Sequence, residues 1–207
     1  CIQQLKALLL LRERMVKVKV QLEVPINEGE EFIASSILKQ TVANCQKTLR
    51  ALQSDIERIE REIEALMSSD EQLTQQCKLV TSVPGIGKIT ALNIIISTQE
   101  FSKIQDAKKF ACYAGVAPFE YSSGSSIRGK TRVSKMANIT LKKLLHLAAM
   151  AAIRYSDEMK TFYKRKVDAG KNKMSVLNAV RNKLISRMFA CINNKRMYQK
   201  NYQHALA

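Results

Sequence analysis

An all-α protein in two parts, a coiled-coil helical arm followed by a compact helical domain, is the fold this sequence predicts. Three observations carry it. From Leu38 to Leu66 apolar residues recur at alternating steps of four and three; proline, glycine and capping residues fall between candidate helices; and few segments alternate as strands do. The predicted boundaries are 1–70 for the arm, 71–200 for the domain and 201–207 for a tail.

Ile2 to Leu22 is a leucine-rich helical pattern interleaved with Arg12, Arg14, Lys17 and Lys19, expected to stop before Pro25. A polar turn, Pro25 to Glu31, follows. From about Phe32 a second helix places Leu38, Val42, Cys45, Leu49, Leu52, Ile56, Ile59, Ile63 and Leu66 on one seam, as a coiled coil does. Its charged neighbours, Asp55 to Glu64, suit solvated flanks and ion pairs; Glu57, Glu60 and Glu64 are spaced three and four apart, but they run beside the seam like ordinary flank charges rather than a metal site. The seam predicts helical pairing, either with Ile2–Leu22 folded back or with a second subunit.

After the polar run Ser68 to Asp70, where Ser69 or Asp70 can cap the next helix, comes a helix over about Glu71 to Ser82. The stretch Val83 to Ile95 then holds two glycines around one apolar residue. Pro84 ends the preceding helix, Gly85 and Gly87 permit positive φ and close backbone approach, Ile86 points inward, and the restarting helix offers unpaired N–H groups to an anion. This Pro-Gly-Ile-Gly pattern resembles the helix-hairpin-helix motif, placed at about 72–98, which grips backbone phosphates without reading bases. A Walker-type loop is excluded, because GIGKIT lacks the required spacing.

Charge is divided unevenly. The net charge is +16; residues 1–120 hold 15 basic and 15 acidic side chains, whereas residues 121–207 hold 19 basic and 3 acidic ones. The second half therefore calls for a polyanionic partner, nucleic acid ahead of membrane. No apolar run approaches the roughly 18 residues that span a bilayer. Trp is absent, so base stacking on aromatic platforms is not the expected mode. Five cysteines (Cys1, Cys45, Cys77, Cys112, Cys191) form no C-x-x-C pair and read as reduced thiols of a cytosolic protein.

A short helix over about Asp106 to Tyr113 leads to Gly115. From there to Lys135 the chain carries five serines and four basic residues, with no acid between Glu120 and Asp157. This segment, 115–135, is expected to be a loop lying against phosphates with hydroxyls, backbone N–H groups and guanidinium forks. Asn138 to Tyr155 reads as a buried helix bearing Lys142, Lys143 and a packing His146; Ser156–Gly170 and Lys173 to about Asn194 read as basic amphipathic helices.

Taken together, V-P-G-I-G-x-x-T-A, then A-x-Y-A-G-V-A-P behind Phe101, then S-S-G-x-S-x-R-G, then S-K-x-x-N-x-x-L-K-K-L-L and G-K-x-K resemble the C-terminal domain of the insertion sequence 110/116/902 transposases, to which Piv-type DNA invertases are related. The likeness runs from about Leu79 to Met188. It departs at Met136-Ala137, where the family has a residue followed by glycine, and at Lys142-Lys143, which replace the commoner arginines. The resemblance implies a DNA recombinase guided by a structured RNA, with a RuvC-like nuclease domain that holds Mg2+ on acidic residues, a coiled-coil connector, and a serine nucleophile in the C-terminal domain. By position that nucleophile is Ser123, with Ser122 as the alternative; Gly85, Gly87, Lys88, Ser126, Arg128, Lys130, Arg132, Lys135, Lys142 and Lys143 are the expected DNA- or RNA-binding residues.

No carboxylate or histidine lies near Ser123 in sequence to activate it, so activation is expected from outside this segment. No metal site is expected in this chain. The family's carboxylates are not found ahead of the first helix, and the chain opens on Cys1. It is therefore expected to be the C-terminal portion of a bacterial, nucleoid-associated transposase, homo-oligomeric through the coiled coil and unable to cut alone. A non-catalytic, dimerising nucleic-acid-binding protein is the alternative, and an accessory repair protein acting on branched DNA is a third reading.

Overall fold

A computed structural model describes residues 2–28, 33–117, 119–123, 127–133 and 136–200, with backbone only for 28, 119–123 and 127–132. The described residues form eight helices and one two-stranded ribbon. They divide into two compact units, residues 1–71 and 72–207.

The first unit is a hairpin of α1 (Ile2–Glu28) and α2 (Ser35–Ser68), which pack along each other. Arg12 Nη2 meets Glu60 Oε1 at 2.6 Å, and Lys19 Nζ donates to Gln53 Oε1 at 2.8 Å. Seven residues forward on α1 match seven residues back on α2, so the helices are antiparallel. The α2 seam is the least exposed line on that helix: Ile56, Ile59 and Ile63 are buried, Leu38, Cys45, Leu49, Leu52 and Leu66 are half-buried, and Val42 is 36% exposed. On α1 the facing line is mixed. Leu5 and Leu9 are buried apolar residues, but farther along Arg12 and Lys19 take inner positions and satisfy Glu60 and Gln53. Folding back of the first helix is thus one of the two pairings the heptads allowed. Glu57, one of the acids weighed as a metal ligand, accepts from Gln53 Nε2 at 2.7 Å, and Glu60 is engaged by Arg12.

Three expected boundaries shift. α1 passes through Pro25 and ends at Glu28. Proline removes one N–H and crowds the carbonyl four residues back, but here that carbonyl belongs to Gln21, which like Pro25 is exposed on the final turns. α2 begins at Ser35 after Ala34, while Phe32 lies outside the described residues. Ser69 closes α2 instead of opening the next helix, since its hydroxyl donates back to Leu66 O at 2.8 Å.

The second unit contains α3 (Glu71–Thr81), which begins at the boundary, then α4 (Lys88–Thr98), α5 (Ala107–Tyr113), β1 (Phe119–Ser123), β2 (Ile127–Arg132), α6 (Ile139–Tyr155), α7 (Asp157–Asp168) and α8 (Lys173–Asn193). α4 is apolar around its circumference and α8 over most of it, and both are core elements. α4 packs on α6, while α8 packs on α5, α6 and α7. The core gathers Leu92, Ile94, Ile95, Phe110, Leu141, Leu145, Met159, Val180, Leu184 and Met188, all buried. Asp106, Asn138 and Asn172 cap α5, α6 and α8, each accepting from backbone N–H groups of the first turn.

Gln99, Glu100 and Phe101 follow α4 with φ of 49°, 56° and 61°, a left-handed run without glycine. Each such residue costs about 1–2 kcal/mol. The run places the buried Phe101 ring edge-on to Phe189, centroids 5.3 Å apart, and Thr98 Oγ1 accepts from Phe101 N at 3.1 Å. Burying a phenylalanine contributes about 1.5–3 kcal/mol, which offsets much of the strain.

Candidate nucleic-acid interface

Val83, Pro84, Gly85 and Ile86 make a tight turn closed by Ile86 N donating to Val83 O at 3.1 Å. Proline at its second position and a glycine with φ of +90° at its third are what a type II turn demands. Val83 and Ile86 are buried. A Cβ on Gly85 would meet the backbone of α6, lying 2.7 Å from Ala152 N and 2.8 Å from Ala152 Cβ and closer still to the Ala148 carbonyl oxygen. Gly85 is therefore the point where the turn seats on α6.

Gly87 differs in every respect. Its φ is an ordinary −85°, nothing lies within 4 Å of a Cβ placed there, and it occupies the N-cap of α4 without a side-chain hydrogen bond. Gly87 and Lys88 are exposed at the N-terminus of an 11-residue helix. That end has the geometry and the dipole to receive a phosphate. Nearby, burial raises the Cys77 thiol against a smaller opposing pull from Lys88, which leaves Cys77 an inert core group.

The serine-rich segment expected as a loop is an antiparallel ribbon. Tyr121 pairs with Gly129, Ser122 with Arg128 and Ser123 with Ile127; Phe119 pairs with Arg132, so β2 carries one extra residue opposite Glu120, a bulge. Aromatic and β-branched residues (Phe119, Tyr121, Ile127, Thr131) supply enough strand preference to override the glycine and serine content. Ser123 is the last residue of β1, at the end of the ladder next to the connection, and Ser122 stands level with Arg128. Lys130 and Arg132 lie on β2. Ser126 and Lys135 fall outside the described residues.

Where the ribbon joins the helices, its base is held firmly. Asn138 N donates to Tyr113 O at 2.9 Å and its amide to Tyr113 Oη at 3.3 Å; Asn178 Nδ2 donates to Val116 O at 2.9 Å. Gly115, with φ of +67°, has no room for a Cβ, which would lie 2.6 Å from Ala137 Cβ and 3.5 Å from Lys142 Cδ. The Lys142 stem thus lies along the ribbon base, and Lys142 and Lys143 are exposed on the first turn of α6. The structure brings together the ribbon base with Lys142, and Gly85 with Ala148 and Ala152 on the same helix, about 9–15 Å farther along its axis at 1.5 Å per residue.

Two side-chain assemblies were not legible in the sequence. Arg181, 7% exposed, reaches His146 Nδ1 and lies 3.4 Å from Asn178 Oδ1, so the packing histidine is half of a polar pair. Burial and then the Arg181 charge push His146 down, and burial lowers Arg181 itself. In the second assembly Arg187 Nη2 pairs with Glu158 Oε1, and Tyr198 Oη donates to Glu158 Oε2 at 2.9 Å. Burial pushes Glu158 up, but the hydrogen bonds from Arg187 and Tyr198 and the charges of Arg187 and Lys183 outweigh it and hold the carboxyl below its usual range. The available signal was scarcity: Glu158 is one of three acids after residue 120. Among the described residues no group of three His, Cys, Asp or Glu converges, and no helix is long and apolar enough to cross a membrane.

Residues 77–164 match the sequence model described as the transposase IS116/IS110/IS902 family. The chain is 29% identical over 154 residues to a pilin gene-inverting protein of Moraxella bovis, covering 73% of this chain and 48% of that protein. It is 26% identical over 178 residues to the transposase for insertion sequence element IS1111A of Coxiella burnetii, covering 74% and 48%. An insertion element IS110 protein of Streptomyces coelicolor is 28% identical over 158 residues, covering 76% and 38%. The chain spans about half the length, or less, of these relatives.

Proposed function

We propose, from the match of residues 77–164 to the transposase IS116/IS110/IS902 family model, that this chain acts in DNA recombination as the C-terminal part of a transposase, with Ser123 as nucleophile. The family match carries the reading, and the acid-poor second half, with 19 bases to 3 acids, supports it. In this scheme the Ser123 hydroxyl oxygen attacks a DNA phosphorus, its proton passes to a base, and a 3′ or 5′ oxygen leaves as a phosphoserine link forms. Ser122 is the alternative nucleophile. Arg128, Lys130, Arg132 and Lys135 flank the strand and offset charge; Ser126 donates a hydroxyl; Gly87 and Lys88 at the α4 terminus and Lys142 and Lys143 on α6 hold neighbouring phosphates.

Among the described residues no three His, Cys, Asp or Glu side chains converge into a set that could hold a divalent cation. Of the three acids after residue 120, Glu158 is taken up by Arg187 and Tyr198 and Asp157 lies 3.5 Å from Lys200. The Mg2+ of the family, and the guidance by a structured RNA, are carried over from the resemblance to the part of the relatives this chain does not span, and no step here is routed through them. A helix-hairpin-helix role for α3, the turn and α4 rests on the open α4 terminus alone. Coiled-coil self-association rests on the seam and on Val18, Val20, Val24, Ile37 and Val42, apolar residues left exposed on the arm.

Denaturant-resistant capture of element-end DNA by the full-length protein tests the chemistry. Ser123→Ala is expected to abolish the adduct and Ser122→Ala to keep it, and capture by Ser123→Ala removes Ser123 from the role. The second reading, a non-catalytic nucleic-acid-binding and dimerising protein, predicts no adduct with the wild-type chain and unchanged DNA binding in Ser123→Ala. Lys88→Glu is expected to weaken DNA binding across sequences and lower the salt slope by about one.

A further inference from the structure

Beyond α8 the chain turns at Lys195, with φ of 49°, and returns over α7 and α8 as the segment 195–200. Two bonds fasten it: Tyr198 N donates to Ser82 Oγ at 2.9 Å, and Tyr198 Oη donates to Glu158. Beneath this strap lies an open cleft of about 550 Å³ lined by Glu158, Arg187, Asn194, Arg196, Gln199 and Lys200 among others. The Arg187 guanidinium is its centre. One nitrogen pairs with Glu158 and the guanidinium carbon lies 5.0 Å from the centroid of the Tyr198 ring, yet Nη1 is buried with no hydrogen-bond partner. A desolvated guanidinium N–H without an acceptor is costly, and protein structures rarely leave one so.

We propose that this cleft is an anion site that takes a phosphate group, received by Arg196 and Lys200 over the Arg187 guanidinium that lines it. Both Glu158 oxygens are engaged, one by Arg187 and one by Tyr198, so its charge is already committed, while Arg196 shows no ion pair among the described residues and Lys200 only a solvent-exposed one to Asp157. Asn194 and Gln199 add neutral donors at the rim. The volume exceeds a phosphate and admits the attached sugar as well. Two sources share this chemistry, a backbone phosphate of nucleic acid and a free phosphate. The site lies outside the residues assigned to the ribbon and the α4 terminus, and it stands whether or not Ser123 is a nucleophile.

Titrating the chain with inorganic phosphate, and separately with single-stranded DNA lacking terminal phosphates, while following the Arg187 and Arg196 side-chain N–H resonances, tests it. Saturable shifts in either arm support the site, and the stronger arm identifies the source. The double variant Arg196→Gln, Lys200→Gln should bind about fivefold or more weakly with Tyr198 amide protection intact. Glu158→Gln keeps an acceptor for Tyr198 but releases Arg187, and it should bind about threefold or more tightly. Absence of saturable shifts with both probes overturns the proposal, as does undiminished binding by the double variant. Should Glu158→Gln free the strap, the double variant decides.

Discussion

The arm and the domain bury their apolar residues by different rules. In the α1–α2 hairpin one seam is buried at its Ile56–Ile63 end and opens toward Val42, and all three buried residues of α2 were visible in a four-three repeat. In the domain α4 is apolar nearly all round and buries Thr90, Ala91, Leu92, Ile94, Ile95 and Thr98. Its position is fixed by the backbone approach of Gly85 to α6 instead of by a stripe. Periodicity therefore reports an element with one wet face, and steric exclusion reports one without.

Gly85→Ala should expose this difference most strongly. A Cβ there collides with backbone at positive φ, and the domain should lose about 3 kcal/mol or more in urea unfolding. Less costly is Ile59→Ala on the arm, expected at about 2–4 kcal/mol, against under about 1 kcal/mol for Val42→Ala at the open end; equal losses would mean that the graded burial does not govern arm stability. Smaller again is a pH effect confined to the domain. Because the folded pKa of His146 lies below its ordinary 6.5, the folded state binds fewer protons, and stability should fall as pH drops below that value until the folded group also titrates. Thermal melts of wild type and His146→Asn across this window should show a shallower acid-side slope in the variant. At the small end, Gly87→Ala should cost at most about 1 kcal/mol, as for a replaced N-cap, and a loss matching Gly85→Ala would erase the distinction between the two glycines.

Legibility followed the range of the interactions. The heptads and the break at Pro84 and Gly85 are local, and each could be read from a few neighbouring residues. Pro25 misled because its cost depends on whether Gln21 faces water, which sequence does not state. The ribbon was read as a loop because its strands are short and its serines and glycines argue for irregular backbone, although Tyr121, Ile127 and Thr131 carried the opposite signal. His146 with Arg181, and Glu158 with Arg187 and Tyr198, join residues 29 to 40 positions apart, beyond any local pattern. Of the candidate site, the turn at Gly85 could be foreseen as a glycine-dependent feature, but which of its two glycines faces the core could not.

The arm's polar rungs have a further consequence. A strict seven-residue repeat would let one helix slide along the other by a heptad and still meet apolar side chains, leaving alignment degenerate. Arg12 and Lys19 stand a heptad apart and meet unlike partners, a carboxylate at Glu60 and an amide at Gln53. Sliding by one repeat would set Arg12 against Gln53 and strand Glu60, so two unlike polar rungs give the arm a single alignment that its leucines and isoleucines alone would not choose.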